Sequence, residues 1–399
     1  MFRLILIAIL VADVLWWWRA DVLARRSGRP WLRAGVAAFM AVQLGLILWI
    51  FVSRWVGAAF PSPPALVMTA VYAWHLLVLP VLVVTVLPWN LGRGVWQGAV
   101  GVRAWMRRRR TGTAEERVAE DPRRLSRRDF LATAAVAAPP LATLAITGYS
   151  RGHLQDLRVR RIEVPVAGLA PELDGLRIAH VSDLHVGTFT DGALLKRIVE
   201  TTSALDADLV VLPGDLINNR LSDLTAALDA VRNMQARHAT LLCLGNHDLI
   251  ENGYEFVRRA RERVDLLVHE SRSVMVRGRE VQVLGLDWSR GESQTASAVE
   301  DIARQVRPGA FPVLLAHHPH AFDAAAEAGI PLTLSGHTHG GQLMVSEDVG
   351  FGPAMFRYWS GLYRKDNGSA LVVSNGAGHW YPVRIAAPAE IVEVVVRRA

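Results

Sequence analysis

Five times between residues 176 and 342, a short and largely apolar run stops and a side chain able to hold a metal follows at once. Leu176–Val181 runs into Ser182-Asp183-Leu184-His185, Leu209–Leu212 into Pro213-Gly214-Asp215, and Thr240–Leu244 into Gly245-Asn246-His247-Asp248. Val313–Ala316 runs into His317-His318-Pro319-His320, and Ile330–Leu334 into Ser335-Gly336-His337-Thr338-His339. Apolar runs this short read as buried strands. Helix-like stretches at Ala193–Leu205, Leu221–Gln235, Glu251–Arg263 and Thr295–Val306 alternate with them, which predicts a largely parallel α/β arrangement. In such sheets ligands collect at the carboxyl ends of the strands. One such ending is an ordinary turn, where Asp and Asn are favoured for local hydrogen bonds. Five in succession predict one shared cleft.

The last of the five is the most pointed. In extended chain residues i and i+2 face the same side, so His337 and His339 aim at one small volume. Imidazole pairs held this way suit divalent ions, and a nitrogen and oxygen set without thiolate admits Mn, Fe, Zn or Co. Cys243, the only cysteine, sits inside an apolar run and reads as a small buried hydrophobe, so no disulfide framework exists. Other polar residues receive plainer readings. His180, inside its strand, is expected to be buried and satisfied. Asp287 and Trp288 are expected in a turn, and Trp359, within Phe356–Tyr363, in aromatic core packing. His379, Trp380 and Tyr381 fit a substrate wall or core packing equally. His318 is the register alternative to His317, which is preferred because it directly ends its strand.

The first 150 residues have another character. They hold 18 Lys and Arg against 7 Asp and Glu, a net of +11, whereas residues 151–399 hold 26 against 30, a net of −4. Ten of the 13 tryptophans also lie there. Basic clusters and tryptophans flanking apolar runs describe a membrane region, and no nucleic-acid partner is expected. The runs are Leu4–Trp18, Ala34–Val52, Ala65–Leu87 and Ala132–Ile146. Leu91–Met106 reads as an interfacial helix and residues 107–130 as a basic cytoplasmic linker. His75 is read as a polar side chain satisfied by a neighbouring helix. Ser126-Arg127-Arg128-Asp129-Phe130-Leu131, ahead of the last run, has the form of a twin-arginine export signal; the pair of arginines equally marks the cytoplasmic edge of a last span. Alternating the spans under the positive-inside rule puts the Arg-rich segments in the cytoplasm and everything after Ile146 outside it. The expected organisation is thus a membrane region over 1–106, the linker, a last span or export-signal helix at 131–147, and a soluble domain at 151–399.

Asp183-x-His185, Gly214-Asp215, Gly245-Asn246-His247-Asp248, His317 and Gly336-His337-x-His339 together resemble the calcineurin-like metallophosphoesterase superfamily, in order and interval, over roughly residues 158–396. Gly340-Gly341-Gln342, Val373-Ser374-Asn375-Gly376 and Pro382-Val383-Arg384 resemble a bacterial branch of membrane-associated or exported members. The resemblance implies two mixed β-sheets packed face to face with helices outside. It implies two divalent metal ions, the first held by Asp183, His185 and His339 and the second by Asn246, His317 and His337, with Asp215 bridging. His247 would stabilise the transition state and protonate the leaving oxygen, and Asp248 would orient His247. Asn218 would order its loop without binding metal. The implied reaction is hydrolysis of a phosphomonoester, phosphodiester or pyrophosphate by metal-bound water or hydroxide, with lipid-linked esters among the candidate substrates. The competing reading is a membrane-anchored metal-binding or signalling module without turnover; the complete ligand set with His247 weighs against it.

Overall fold

A computed structural model describes residues 2–56, 63–85, 127–288, 291–346, 349–350 and 352–399, together with Trp96. The chain divides into two compact units, Met1–Arg151 and Gly152–Ala399.

The first unit is helical: Phe2–Arg26, Pro30–Val56, a helix from Ala65 that passes through a π-helical turn at Ala73–Val78, and Arg127–His153. Three stretches, Pro30–Ser53, Ala65–Thr85 and Phe130–His153, are long and apolar enough to cross a membrane. The first helix carries Asp13, which is fully buried and accepts from Trp74 Nε1 at 2.8 Å, while His75 Nε2 lies 3.0 Å from its other oxygen. His75 Nδ1 meets the Val71 carbonyl at 2.9 Å. His75 is therefore satisfied by a neighbouring helix, as a polar group in an apolar bundle must be. Arg127–Phe130 begin a helix where a linker was expected. The interfacial helix expected over Leu91–Met106, Trp96 apart, and linker residues 107–126 lie outside the described residues, as do the Arg127 and Arg128 side chains.

The second unit begins with β1 (Leu157–Val166), β2 (Leu176–His180), β3 (Leu209–Pro213), β4 (Ala239–Cys243) and β5 (Asp265–Leu266). It continues through β6 (Glu270–Val276), β7 (Arg279–Gly285), β8 (Phe311–Leu315) and β9 (Leu332–Ser335). A small hairpin, β10 (Met344–Ser346) and β11 (Val349–Gly350), precedes β12 (Gly361–Arg364), β13 (Ala370–Val373) and β14 (Ala389–Arg398). The main strands form two six-stranded mixed sheets, ordered β1-β14-β2-β3-β4-β5 and β12-β13-β9-β8-β7-β6. The five strands singled out in the sequence are divided between them. β2, β3 and β4 run parallel in the first sheet, and β8 and β9 run parallel in the second.

Alternation along each strand explains the layering. Ile178, Leu209, Val211 and Leu241 meet Val283, Val313, Leu315, Leu334 and Val372 in the core between the sheets. Their neighbours Ala179, Val210, Leu212 and Leu242 face outward and pack with Leu194, Ile198, Ala227 and Leu228 of the helices Gly192–Ala204 and Leu224–Asn233. On the far sheet Leu284 and Leu314 pack with Val299, Ile302, Ala321 and Ala325 of Glu292–Ala303 and Ala321–Glu327. Strands buried on both faces have to be apolar throughout, which is why their runs lack polar alternation. The architecture is two packed mixed sheets flanked by helices.

Candidate metal centre

The polar residues at the five strand ends converge. The ligand atoms of Asp183, His185 and His339 lie within 4.8 Å of one another, and so do those of Asp215, His317 and His337. In the first group His339 Nε2 stands 3.2 Å from Asp183 Oδ1 and 3.1 Å from His185 Nε2. In the second, His317 Nε2 stands 3.1 Å from Asp215 Oδ2 and 3.2 Å from His337 Nδ1. Asp215 Oδ2 is also 3.5 Å from His185 Nε2, so one carboxylate oxygen faces both groups. Asn246 presents a buried Oδ1 without a hydrogen-bond partner among the described residues, a donor atom of the kind a cation would satisfy. The chemistry and convergence of these donors fit divalent metal.

The backbone is bent to make this convergence. Asp183, His185, Asp215, His337 and His339 all adopt positive φ, between 44° and 73°. Non-glycine residues enter that region at a cost, and such strain collects at functional sites. Glycines let neighbouring turns close up. A Cβ at Gly336 would stand 1.7 Å from Ser182 Oγ and 2.0 Å from Asp183 Oδ2, and one at Gly245 would stand 2.2 Å from Asp215 Oδ1.

Hydrogen bonds fix the orientation of several groups. His317 Nδ1 donates to the Pro213 carbonyl at 2.8 Å, which leaves Nε2 for a cation. The His337 amide donates to the Asp183 carboxylate at 3.1 Å, and the His247 amide to Asp215 Oδ1 at 2.8 Å. Burial lowers His185 and His337 to about 4, and lowers His339 as well, so these imidazoles are neutral and ready to bind metal. Burial alone would lower His317 too, but the Asp215 carboxylate outweighs it and raises this group to about 9.

Two contacts differ from those expected. Asp248 does not touch the His247 ring among the described contacts. Its carboxylate accepts the amides of Asp215 (3.1 Å), Leu216 (2.8 Å), Ile217 (3.2 Å) and Gly245 (2.9 Å), bracing the two turns that carry Asp215 and Asn246. The His247 Nδ1 partner is instead the main-chain carbonyl of Asn218. Asp248 thus bonds to main-chain amides, and it is the Asn218 carbonyl that meets the His247 ring; a carbonyl contact of this kind leaves no mark on residue type. His180 is buried as expected, but neither ring nitrogen has a partner among the described residues, and burial lowers it to about 4.

The surroundings also depart from the plainer readings. Trp288 lies with its ring 5.6 Å from His317 and 5.4 Å from His337, so it lines the centre. Phe356 is 5.9 Å from His337. Trp380 faces the other group, 6.3 Å from His247 and 6.4 Å from His339. Trp359 is core, packed with Met344 and Ala387. His318 sits behind His337 at 4.6 Å and outside both groups.

Two packed mixed sheets whose strand ends gather Asp, Asn and His in this way define a metal-dependent hydrolase of phosphoric esters. The family model for calcineurin-like phosphoesterases matches residues 176–341, which contain all the residues of both groups. A transmembrane protein with a metallophosphoesterase domain from Danio rerio is 30% identical over 314 residues, covering 73% of this chain and 67% of that protein. An uncharacterized metallophosphoesterase from Helicobacter pylori is 31% identical over 256 residues, 62% of this chain and 67% of its own. Another from Bacillus subtilis is 26% identical over 294 residues, covering 67% and 96%. The chain belongs to the calcineurin-like phosphoesterase family.

Proposed function

We propose that this chain is a membrane-anchored phosphoesterase with two divalent ions, whose catalytic domain lies on the extracytoplasmic side and acts on a lipid-linked phosphate ester. The observation that carries the dinuclear reading is Asp215 Oδ2, 3.1 Å from His317 Nε2 and 3.5 Å from His185 Nε2. Asp183, His185 and His339 would hold one ion, Asn246, His317 and His337 the other, and Asp215 both. Bound there, the ions supply Lewis acidity and a nucleophile at neutral pH. The two carboxylates offset only half of four positive charges, so the site attracts a phosphate. His247, held through Nδ1 by the Asn218 carbonyl, turns Nε2 toward the substrate and carries a proton to the leaving oxygen. Trp288, Phe356 and Trp380 bracket the phosphate with aromatic surface.

Residues 1–106 form the membrane region, 107–130 connect it on the cytoplasmic face, and 131–147 cross the bilayer or serve as a twin-arginine export address. The basic excess before residue 129 supports this orientation. Lipid-linked substrate is supported by chain continuity: three residues separate the apolar helix ending at His153 from β1 at Leu157.

The test is hydrolysis by the full chain in lipid nanodiscs, with added Mn, of an aryl phosphodiester, an aryl phosphomonoester and a phosphatidyl phosphate. Turnover that chelator removes, fastest on the lipid, is the expected result. Bound metal without turnover on any of the three would favour the silent module instead. A reporter fused after residue 399 should be active only in an exported form; activity of a cytoplasm-only reporter overturns the orientation.

A further inference from the structure

The helical unit carries an open hollow of about 600 Å³ between its first two helices. Phe2–Arg26 contributes Val14, Trp17, Trp18, Asp21 and Arg25, whose spacing of three or four residues puts them on one helical face. Pro30–Val56 contributes Arg33, Ala34 and Ala37, again on one face. Ala34 and Ala37 are exposed, and their small side chains leave the groove between the helices open.

The hollow is polar at one end and apolar at the other. At the polar end Arg25 Nε donates to Asp21 Oδ2 at 2.6 Å and Arg33 Nε to Asp21 Oδ1 at 2.8 Å. Among the described residues neither guanidinium makes a further hydrogen bond, so the Nη groups of both keep their donors for another acceptor. Two guanidinium groups around one carboxylate leave an excess of positive charge, and their planar forks match the oxygens of a phosphate. At the apolar end Val14 and Trp18 are each 60% exposed, which is costly in water and favourable against lipid. The apolar stretch Pro30–Ser53 begins at the hollow, with Arg33 in its first turn. Tryptophan and arginine at the end of a span mark the level where hydrocarbon gives way to head groups.

We propose that this hollow binds one anionic phospholipid, with its phosphate on Arg25 and Arg33 and its acyl chains along Val14, Trp18 and the two alanines. Asp21 holds both guanidinium groups at one spacing, so the phosphate meets a prepared pair of forks. A free phosphate would use the polar end alone, and a zwitterionic lipid would bring its own cation against the arginines. General attraction of basic residues to an anionic leaflet is worth roughly fivefold per arginine and needs no groove. A built site depends on the shape of the hollow as well as on charge, and it acts on a single lipid away from any charged surface. It uses no residue of the metal centre, so its test needs no turnover.

Native mass spectrometry of the full chain in a neutral detergent, titrated with phosphatidylglycerol and with phosphatidylcholine, tests this. One phosphatidylglycerol should bind about tenfold or more tightly than phosphatidylcholine, and the double variant Arg25→Gln, Arg33→Gln should lose about that factor. The double variant Arg26→Gln, Arg29→Gln removes the same charge from arginines outside the hollow and should stay within about threefold of wild type. Ala37→Phe fills the groove without changing charge and should weaken phosphatidylglycerol about as much as loss of Arg25 and Arg33. Equal affinity for the two lipids overturns the site. Equal losses in the two arginine pairs overturn it too, since they mean diffuse charge. Displacement of the lipid by millimolar glycerol phosphate, which has no acyl chains, would make this a phosphate site and overturn the lipid. If the Arg25, Arg33 variant fails to fold, Ala37→Phe decides: undiminished phosphatidylglycerol binding overturns the site.

Discussion

Replacing Asp215 by Asn removes one negative charge and almost no volume. Asp215 Oδ1 accepts the His247 amide at 2.8 Å, a bond the Asn carbonyl oxygen can keep, so the turn should hold its shape. The amide nitrogen then occupies the place of Oδ2, which stands 3.1 Å from His317 Nε2 and 3.5 Å from His185 Nε2. At separations of this order, a unit charge pair at an effective dielectric constant near 20 is worth about 4 kcal/mol. Recovered hydration of the freed ions offsets part of this. A net loss of about 3 kcal/mol, or roughly a hundredfold in affinity, is expected. Because the carboxylate faces both groups, both sites should weaken, unlike the one-site loss expected for His339→Ala. Calorimetric titration with Mn, alongside hydrolysis of an aryl phosphodiester and a thermal melt of the metal-free protein, measures this. Two Mn per chain bound within threefold of wild type would refute the shared-carboxylate reasoning. So would selective loss of one site.

Three further outcomes follow from the same geometry. His317 is raised to about 9 in the metal-free protein, so below that pH a cation must displace its proton; Mn affinity at this site should climb up to about tenfold per pH unit between 7 and 9 and then level off. The same shift makes its ion pair with Asp215 stabilise the metal-free fold fully below pH about 6.5, with that contribution fading as pH rises through about 9; melts of the chelated protein, compared between wild type and His317→Gln, check this, and parallel profiles would contradict it. His247→Ala should retain two Mn but lose about 10²- to 10⁴-fold in kcat, more on alkyl than on nitrophenyl leaving groups, since only the former need a proton; equal losses on both would remove His247 from that role. Gly336→Ala would drive a Cβ to 1.7 Å from Ser182 Oγ and 2.0 Å from Asp183 Oδ2, so a loss of about 1–3 kcal/mol in stability together with weakened metal binding is expected; an unshifted melt would show that the turn can yield.

The candidate donors were legible because each is dictated locally. A fully buried strand must be apolar, and a metal donor must interrupt that run, so Asp183, Asp215, Asn246, His317 and His337 announce themselves by type and place. The sequence also divided the chain: an apolar, Arg-flanked first part and a mixed second part obey different solvents. What it could not contain is direction and partnership across long separations. Asp248 looks like a neighbour of His247, yet packing turned its carboxylate onto four amides. Trp288 looks like a turn residue, yet the sheet beneath it aims its ring at His317 and His337. β14 enters the first sheet between β1 and β2, parallel to one and antiparallel to the other, which no local pattern specifies. Asp13 meets Trp74 and His75, and Leu154 meets His379, only because tertiary packing brings them within hydrogen-bond reach. Residue type is chosen by the local environment and can be read along the chain; a hydrogen-bond partner is chosen by whatever the finished fold brings within 3 Å or so, and only the fold records it.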